Sequence, residues 1–279
     1  MHLLFFVLIL WSPLFVRGYS YKNDIVKCPN ETVGQVFIVS EKNLFFTKVN
    51  RSMLNIYKKL NKFENLITLC TTGVEDMSYM FAFAEKFNSD ISSWDTSSVT
   101  NMSYMFAFSK KFNSDISKWT TSSVLDMRGM FLYAEKFNSD ISKWTTSRVM
   151  NMSAMFQSAE KFNSDISSWD TSRVKNMNRM FSLALNFNSD VSNWTTSSVL
   201  DMSGMFGYAK KFNSDISKWN TSSVLNMDSM FQNASSFNHS LTNWCVKNRA
   251  PIAFAYSSPL QNNVASQPLW NGNGCKKSL

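Results

Sequence analysis

Hydrophobic positions along the chain recur every 25 residues from Val74 to Trp244, with no insertion. Trp94, Trp119, Trp144, Trp169, Trp194, Trp219 and Trp244 form one such column, and a valine column runs from Val74 to Val224. Methionine columns run from Met77 to Met227 and from Met80 to Met230 and hold 14 of the 17 methionines. Phenylalanine columns run from Phe81 to Phe231 and from Phe87 to Phe237. Each unit reads V-x-[ND]-M-x-x-M-F-x-x-A-x-x-F-N-S-D-I-S-x-W-x-T-S-x. A unit this short cannot close its own core, so its apolar face must be buried against neighbouring units.

Met77, Met80, Phe81 and Ala84 fall at i, i+3, i+4 and i+7, a spacing that predicts a short helix. Asp76, Asn101, Asp126, Asn151, Asn176, Asp201 and Asn226 stand just before it, where N-caps belong. Asp90-Ile91-Ser92-Ser93-Trp94 reads as a short strand and Asp95-Thr96-Ser97 as a polar turn. The expected coil is strand, turn, short helix, turn, with successive strands about 4.8 Å apart in a parallel ladder and about 34 Å of stack for seven coils. The fold class expected is an α/β solenoid of seven right-handed coils. The tryptophan column lies in its core.

The unit V-T-N-M-S-Y-M-F-A-F-S-K-K-F-N-S-D-I-S-K-W resembles the 25-residue repeat of unknown function found in mycoplasma surface lipoproteins, itself similar to the BspA-like leucine-rich-repeat surface proteins. The resemblance covers about 171 of the 279 residues. It implies a leucine-rich-repeat-like solenoid on a secreted or surface-attached protein, in a group associated with adhesion or protein binding. The usual leucine positions are filled here by Met, Phe, Ile, Trp and Val.

The flanking regions read as a leader and two caps. Leu3 to Val16 is an apolar run too short to span a bilayer comfortably, and Val16-Arg17-Gly18 resembles a signal-peptidase site. Residues 1–18 are thus a signal peptide, 19–73 an N-terminal cap with a degenerate first coil, 74–245 the seven-repeat solenoid and 246–279 a C-terminal cap. In the first cap, Phe63, Leu66, Leu69 and Thr71 echo the Phe, Ile, Trp and Thr columns. Ser52 to Lys62 reads as an amphipathic helix with Met53, Ile56, Tyr57 and Leu60 on one face. The tail after Lys247 reads as a cap strand and an irregular wrap. Cys28, Cys70, Cys245 and Cys275 allow three disulfide connectivities, and chain proximity favours Cys28–Cys70 and Cys245–Cys275, one clamp per end.

Composition narrows the function. The 279-residue chain carries a net charge of +8, with 17% charged and 15% aromatic residues, which is too apolar for a disordered tail. Its two histidines, His2 and His239, and the lack of a CxxC pair disfavour histidine-based catalysis, zinc and thioredoxin-like chemistry. The column Asp90, Asp115, Asp140, Asp165, Asp190 and Asp215 stacks like charges, with a repulsion of roughly 0.9 kcal/mol per neighbouring pair in bulk water. Each Asp is expected to cap its own turn, a calcium ladder being the alternative. The Asn column from Asn88 to Asn238 is read likewise as structural, bonding to adjacent coils.

Binding is expected where residues vary while the frame repeats. One variable column holds Tyr79, Tyr104, Gly129, Ala154, Arg179 and Gly204, and another holds Phe83, Phe108, Tyr133, Ser158, Leu183 and Tyr208. The candidate binding surface is Tyr79, Phe83, Tyr104, Phe108, Tyr133 and Tyr208, with lateral packing between neighbouring helices as the competing reading. Lys118, Lys143, Lys218, Arg148 and Arg173 add a mildly basic surface. Sequons mark Asn30, Asn50, Asn193, Asn220, Asn233 and Asn238 as candidate N-glycosylation sites, while Asn101 and Asn151 are helix-cap positions.

The expected function is non-catalytic: a secreted or cell-surface repeat protein presenting an extended surface to an extracellular protein or glycan. No cofactor, metal, nucleic acid or membrane span of the mature chain is expected. A self-associating coat or wall protein is the alternative, and a carboxylate-dependent hydrolase a remote one.

Overall fold

A computed structural model describes residues 20–22, 24–39, 44–60, 63, 66–272 and 275. The predicted signal peptide lies outside the described residues. The N-terminal region holds a hairpin of β1 (Ser20–Lys22) and β2 (Ile25–Lys27). A second sheet orders β3 (Val36–Val39), β4 (Leu44–Lys48) and β5 (Leu69–Cys70), antiparallel then parallel. Alternation along β3 and β4 turns Phe37, Val39 and Phe46 inward, onto Val26 and the Cys28–Cys70 disulfide. A second disulfide joins Cys245 to Cys275.

The repeat region is bonded unit to unit at one fixed register. In one interface the N–H groups of Met127, Gly129, Phe131 and Tyr133 donate to the carbonyls of Asn151, Ser153, Met155 and Gln157 at 2.8–3.0 Å, and Met150 N–H donates back to Leu125. Isolated parallel bridges link Asp76, Asn101, Asp126, Asn151, Asn176, Asp201 and Asn226 in series.

The predicted helix of the unit is not present. The Met-x-x-Met-Phe stretch folds as overlapping turns in which Met80, Ala82 and Ala84 N–H groups bond three residues back, to Met77, Tyr79 and Phe81. Tyr79 and Phe83, and their equivalents in every unit, have φ between 53° and 65°, which no right-handed helix allows. The N–H groups at positions 77, 79, 81 and 83 thereby leave the chain and reach the next unit. Asp76 and its equivalents accept from the N–H two residues on, as Asp76 Oδ1 does from Ser78 at 2.7 Å, which is an Asx turn and not a helix cap. The ladder runs through this turn segment. The Asp-Ile-Ser-x-Trp stretch expected to be the strand has no backbone bond from one repeat unit to another; only its first and last copies are tied by backbone to the flanking regions, Ser93 accepting from Val26 and Leu241 donating to Ser266.

On that far side, side chains do the joining. Every column tryptophan donates its indole N–H to a carbonyl 28 residues earlier, Trp169 to Ile141 at 3.2 Å and Trp244 to Ile216 at 3.0 Å. Threonine hydroxyls donate to carbonyls 24 residues on, Thr171 to Thr195 at 2.9 Å. The asparagine column forms a ladder, Asn138 Oδ1 accepting the N–H of Asn163 at 2.7 Å. The seven column tryptophans are at most 4% exposed. Phe131 and Phe137 stack with centroids 3.7 Å apart, and each stacks again on its equivalent in the next unit.

A parallel stack leaves carbonyls at one end and N–H groups at the other, and each end is closed differently. At the first unit, helix α1 (Arg51–Lys59) points Arg51, Leu54 and Lys58 at the stack. Arg51 donates to the carbonyls of Asp76 (3.1 Å) and Ser78 (2.7 Å), and Lys58 to that of Tyr79. The helix therefore turns only part of its predicted face inward: Met53 and Tyr57 pack against the core, while Ile56 and Leu60 are each 56% exposed. The open carbonyls require donors, and that requirement sets the rotation. Asn50 caps α1 by accepting Met53 N–H at 3.0 Å. Phe63 packs edge-on against Phe81 and Phe87, Leu66 accepts the Trp94 indole N–H, and Thr71 donates to Asp95.

At the other end the wrap imitates a unit. Ser229, Phe231 and Asn233 donate to Ile252, Phe254 and Tyr256 at 2.8–2.9 Å, and Ala253 and Ser257 take the two positive φ values, 50° and 56°. Phe254 occupies the second methionine column, and Trp270 packs edge-on upon it. Helix α2 (Pro259–Asn262) follows.

Candidate recognition surface

Three columns point outward along the turn face, at positions 75, 79 and 83 of the first unit and their equivalents. The inward residues Met77 and Phe81 alternate with them. In the first units the columns at 79 and 83 are aromatic, with Tyr79 and Tyr104 in one and Phe83, Phe108 and Tyr133 in the other. Tyr79 stacks on Tyr104 (4.9 Å), Phe83 on Phe108 (4.8 Å), and Phe108 on Tyr133 (4.8 Å). Tyr79 and Phe83 remain 46% and 69% exposed. The Tyr104 ring also lies over Gly129, where an added Cβ would approach it to 2.4 Å, and beneath the Arg128 guanidinium, 5.9 Å from the ring centroid. The rings thus meet between units, along columns, and not as helical i,i+4 pairs. Tyr208 does not join them. Ser158 and Leu183 separate it from Tyr133 in the same column.

One column escaped the sequence reading. Leu125, Met150, Leu200 and Leu225 follow the buried valines, and Met150, Leu200 and Leu225 are 45%, 42% and 69% exposed. Lys175 shares the column, and Arg148, Arg173 and Arg179 lie exposed close by in the chain. None of these four cations has an ion pair among the described residues. The ion pairs described are Lys110–Glu85, Lys118–Asp24 and Arg128–Asp126. The signal was present in the sequence as aliphatic residues at an otherwise polar position.

The aspartate column turns on itself. Asp90, Asp115, Asp140, Asp165, Asp190 and Asp215 each accept the N–H of the serine two residues on, at 2.9–3.0 Å. Those backbone bonds, with help from the serine hydroxyl, hold the carboxyls of Asp140, Asp165, Asp190 and Asp215 below the ordinary range. At Asp165 the neighbouring Asp140 and Asp190 push the other way, as lesser causes. No grouping of three or more His, Cys, Asp or Glu fit for a metal occurs among the described residues. In the N-terminal region, burial pushes the Lys48 ammonium down against Asp95 and Glu31, and Lys48 donates to the carbonyls of Cys28 and Thr72.

Asn30, Asn50, Asn193, Asn220 and Asn238 are exposed and Asn233 half-buried. Their side chains are not equally free. Asn50 caps α1, and Asn220 Oδ1 accepts from Ser222. Asn101 and Asn151 serve Asx turns to Ser103 and Ser153.

The family model described as "Mycoplasma protein of unknown function, DUF285" matches twice, over residues 51–169 and 151–266. The chain belongs to this family. The two matches overlap and together cover α1, every repeat unit and the imitation unit of the C-terminal wrap. No curated protein and no solved structure matches the chain. Among the described residues, no helix is long and apolar enough to cross a membrane.

Proposed function

We propose that this chain is a secreted or cell-surface, BspA-like repeat protein, a leucine-rich-repeat-like right-handed solenoid that binds an extracellular protein or glycan and carries out no catalysis. The observation that carries this reading is the division of labour in the repeat. Residues that tie unit to unit recur without change, while the outward columns of the turn face vary and are freed from that task by the backbone. Equivalent rings are 4.8–4.9 Å apart on this face and 6.3–6.4 Å apart from Trp144 to Trp244. The exposed rings therefore pack into one continuous patch on this face. An exposed aromatic patch at one end and an aliphatic, cationic one at the other suit a partner that lies along it. Two disulfides fit an oxidising compartment.

The test applies the labelled protein to arrayed extracellular proteins and glycans. Replacing Tyr79, Phe83, Tyr104 and Phe108 together by serine is expected to reduce capture on the bound features at least tenfold, with the melting temperature held. Capture unchanged by this variant, and by the matching change at Met150, Leu200 and Leu225, would remove the turn face from consideration.

A further inference from the structure

We infer that the C-terminal edge of the stack is a binding site for a peptide segment of a partner chain, which adds to it in the turn conformation that a next unit would bring. At every internal interface the N–H groups at positions 79, 81 and 83 of a unit meet carbonyls of the unit that follows. The imitation unit presents the same three groups, on Ala253, Ala255 and Ser257, and no unit follows it. Ser257 N–H is met by Gln261 Oε1 at 2.6 Å. Ala253 and Ala255 N–H have no acceptor among the described residues. Ala255 is only 5% exposed, so water reaches its N–H poorly, and a buried unpaired N–H is a cost that a ligand carbonyl removes.

A cavity of about 230 Å³ opens over these groups, lined among others by Phe254, Tyr256, Gln261 and Trp270. Gln261, already bonded to Ser257 N–H, marks the side of the edge on which an incoming segment would lie. The ligand class follows from the interface being continued. It is a peptide able to fold into the same overlapping turns, offering two carbonyls two residues apart, with one apolar side chain for the aromatic walls, a relative of strand addition at an open edge. A second copy stacking end to end does not fit, because the Ser78 carbonyl it would bring to the Ala253 N–H is held by its own Arg51, and Lys58 holds the adjoining Tyr79 carbonyl. The site lies at the C-terminal end of the turn-face columns, far along the stack from the aromatic rings of the first units, and is independent of the proposed function.

The probe is an acetylated, amidated peptide with the sequence of residues 151–159, NMSAMFQSA, whose Ser153 and Met155 carbonyls serve the equivalent Gly129 and Phe131 N–H groups within the stack. It is titrated into the intact disulfide-bonded protein labelled with 15N-alanine. Both Ala253 and Ala255 amide signals are expected to move, and their solvent exchange to slow at least tenfold at saturation. Ala253→Tyr is expected to fill the cavity and weaken the peptide at least tenfold. Its backbone tolerates the change, since Tyr79 and Tyr104 stand at the equivalent position with φ of 55°. Phe83→Ser is expected to leave peptide affinity unchanged, separating this site from the turn face. The inference is overturned if the peptide does not bind at millimolar concentration, if it binds without moving these two amides, or if they already exchange slowly in the free protein.

Discussion

On the turn face of the repeat the backbone joins each unit to the next, whereas on the tryptophan face side chains do that work. Met127, Gly129, Phe131 and Tyr133 reach the next unit through N–H groups that any non-proline residue possesses. Trp169, Thr171 and Asn163 reach their neighbours through an indole, a hydroxyl and a carboxamide that few substitutes reproduce. The first arrangement releases the sequence and the second binds it. This explains in one step why the Trp, Thr and Asn columns repeat while the outward columns change from Tyr to Gly to Arg.

The contrast can be broken most forcefully at the indole. Trp169→Ala removes a buried ring within a continuous column and is expected to cost about 3–5 kcal/mol in a urea melt. Trp169→Phe keeps a ring but loses the bond to Ile141, and about 1 kcal/mol of its cost is assigned to that bond. Thr171→Val deprives the Thr195 carbonyl of its hydroxyl donor at nearly constant volume, and about 0.5–1.5 kcal/mol is expected. Acid sharpens the comparison further. The carboxyls of Asp140, Asp165, Asp190 and Asp215 lie below their unfolded values, so their contribution is complete above about pH 4 and fades as pH falls through the depressed folded values. Thermal melts between pH 2 and 6 are expected to show that loss. Asp140→Asn combined with Asp165→Asn, which keeps the turn acceptor, should flatten it. On the turn face, Met150→Ser or Leu225→Ser is expected to move stability by no more than about 0.5 kcal/mol. A loss there comparable to Trp169→Phe would contradict the division between the faces.

The period, the buried columns and the clamping cysteines were legible because they are matters of pattern. The local conformation was not. Met77, Met80, Phe81 and Ala84 are spaced as a helix spaces its apolar face, and overlapping turns with left-handed residues at 79 and 83 bury the same set. Gly129 and Gly204 in the first of those columns were the available hint, since glycine recurring at one site of a short helix points to positive φ. The imitation unit at residues 250–258 carries none of the Met-Phe signature and is recognised by its hydrogen bonds alone. The rotation of α1 was equally hidden. Its apolar pattern favoured Ile56 and Leu60, whereas the carbonyls awaiting Arg51 and Lys58 decided the outcome.

The left-handed positions carry a consequence for what this surface can display. Two in each of seven units make fourteen, and only Gly129 and Gly204 among them are glycine. A side chain held there costs about 1 kcal/mol relative to an unstrained residue, and branching at Cβ makes it worse. The other twelve are Tyr, Phe, Ala, Ser, Arg, Leu and Asn, and none is Val, Ile or Thr. The face is therefore composed from a restricted alphabet of unbranched or aromatic side chains. New specificities can arise by exchange within that alphabet, but a β-branched letter would first have to overcome the geometry of the turn.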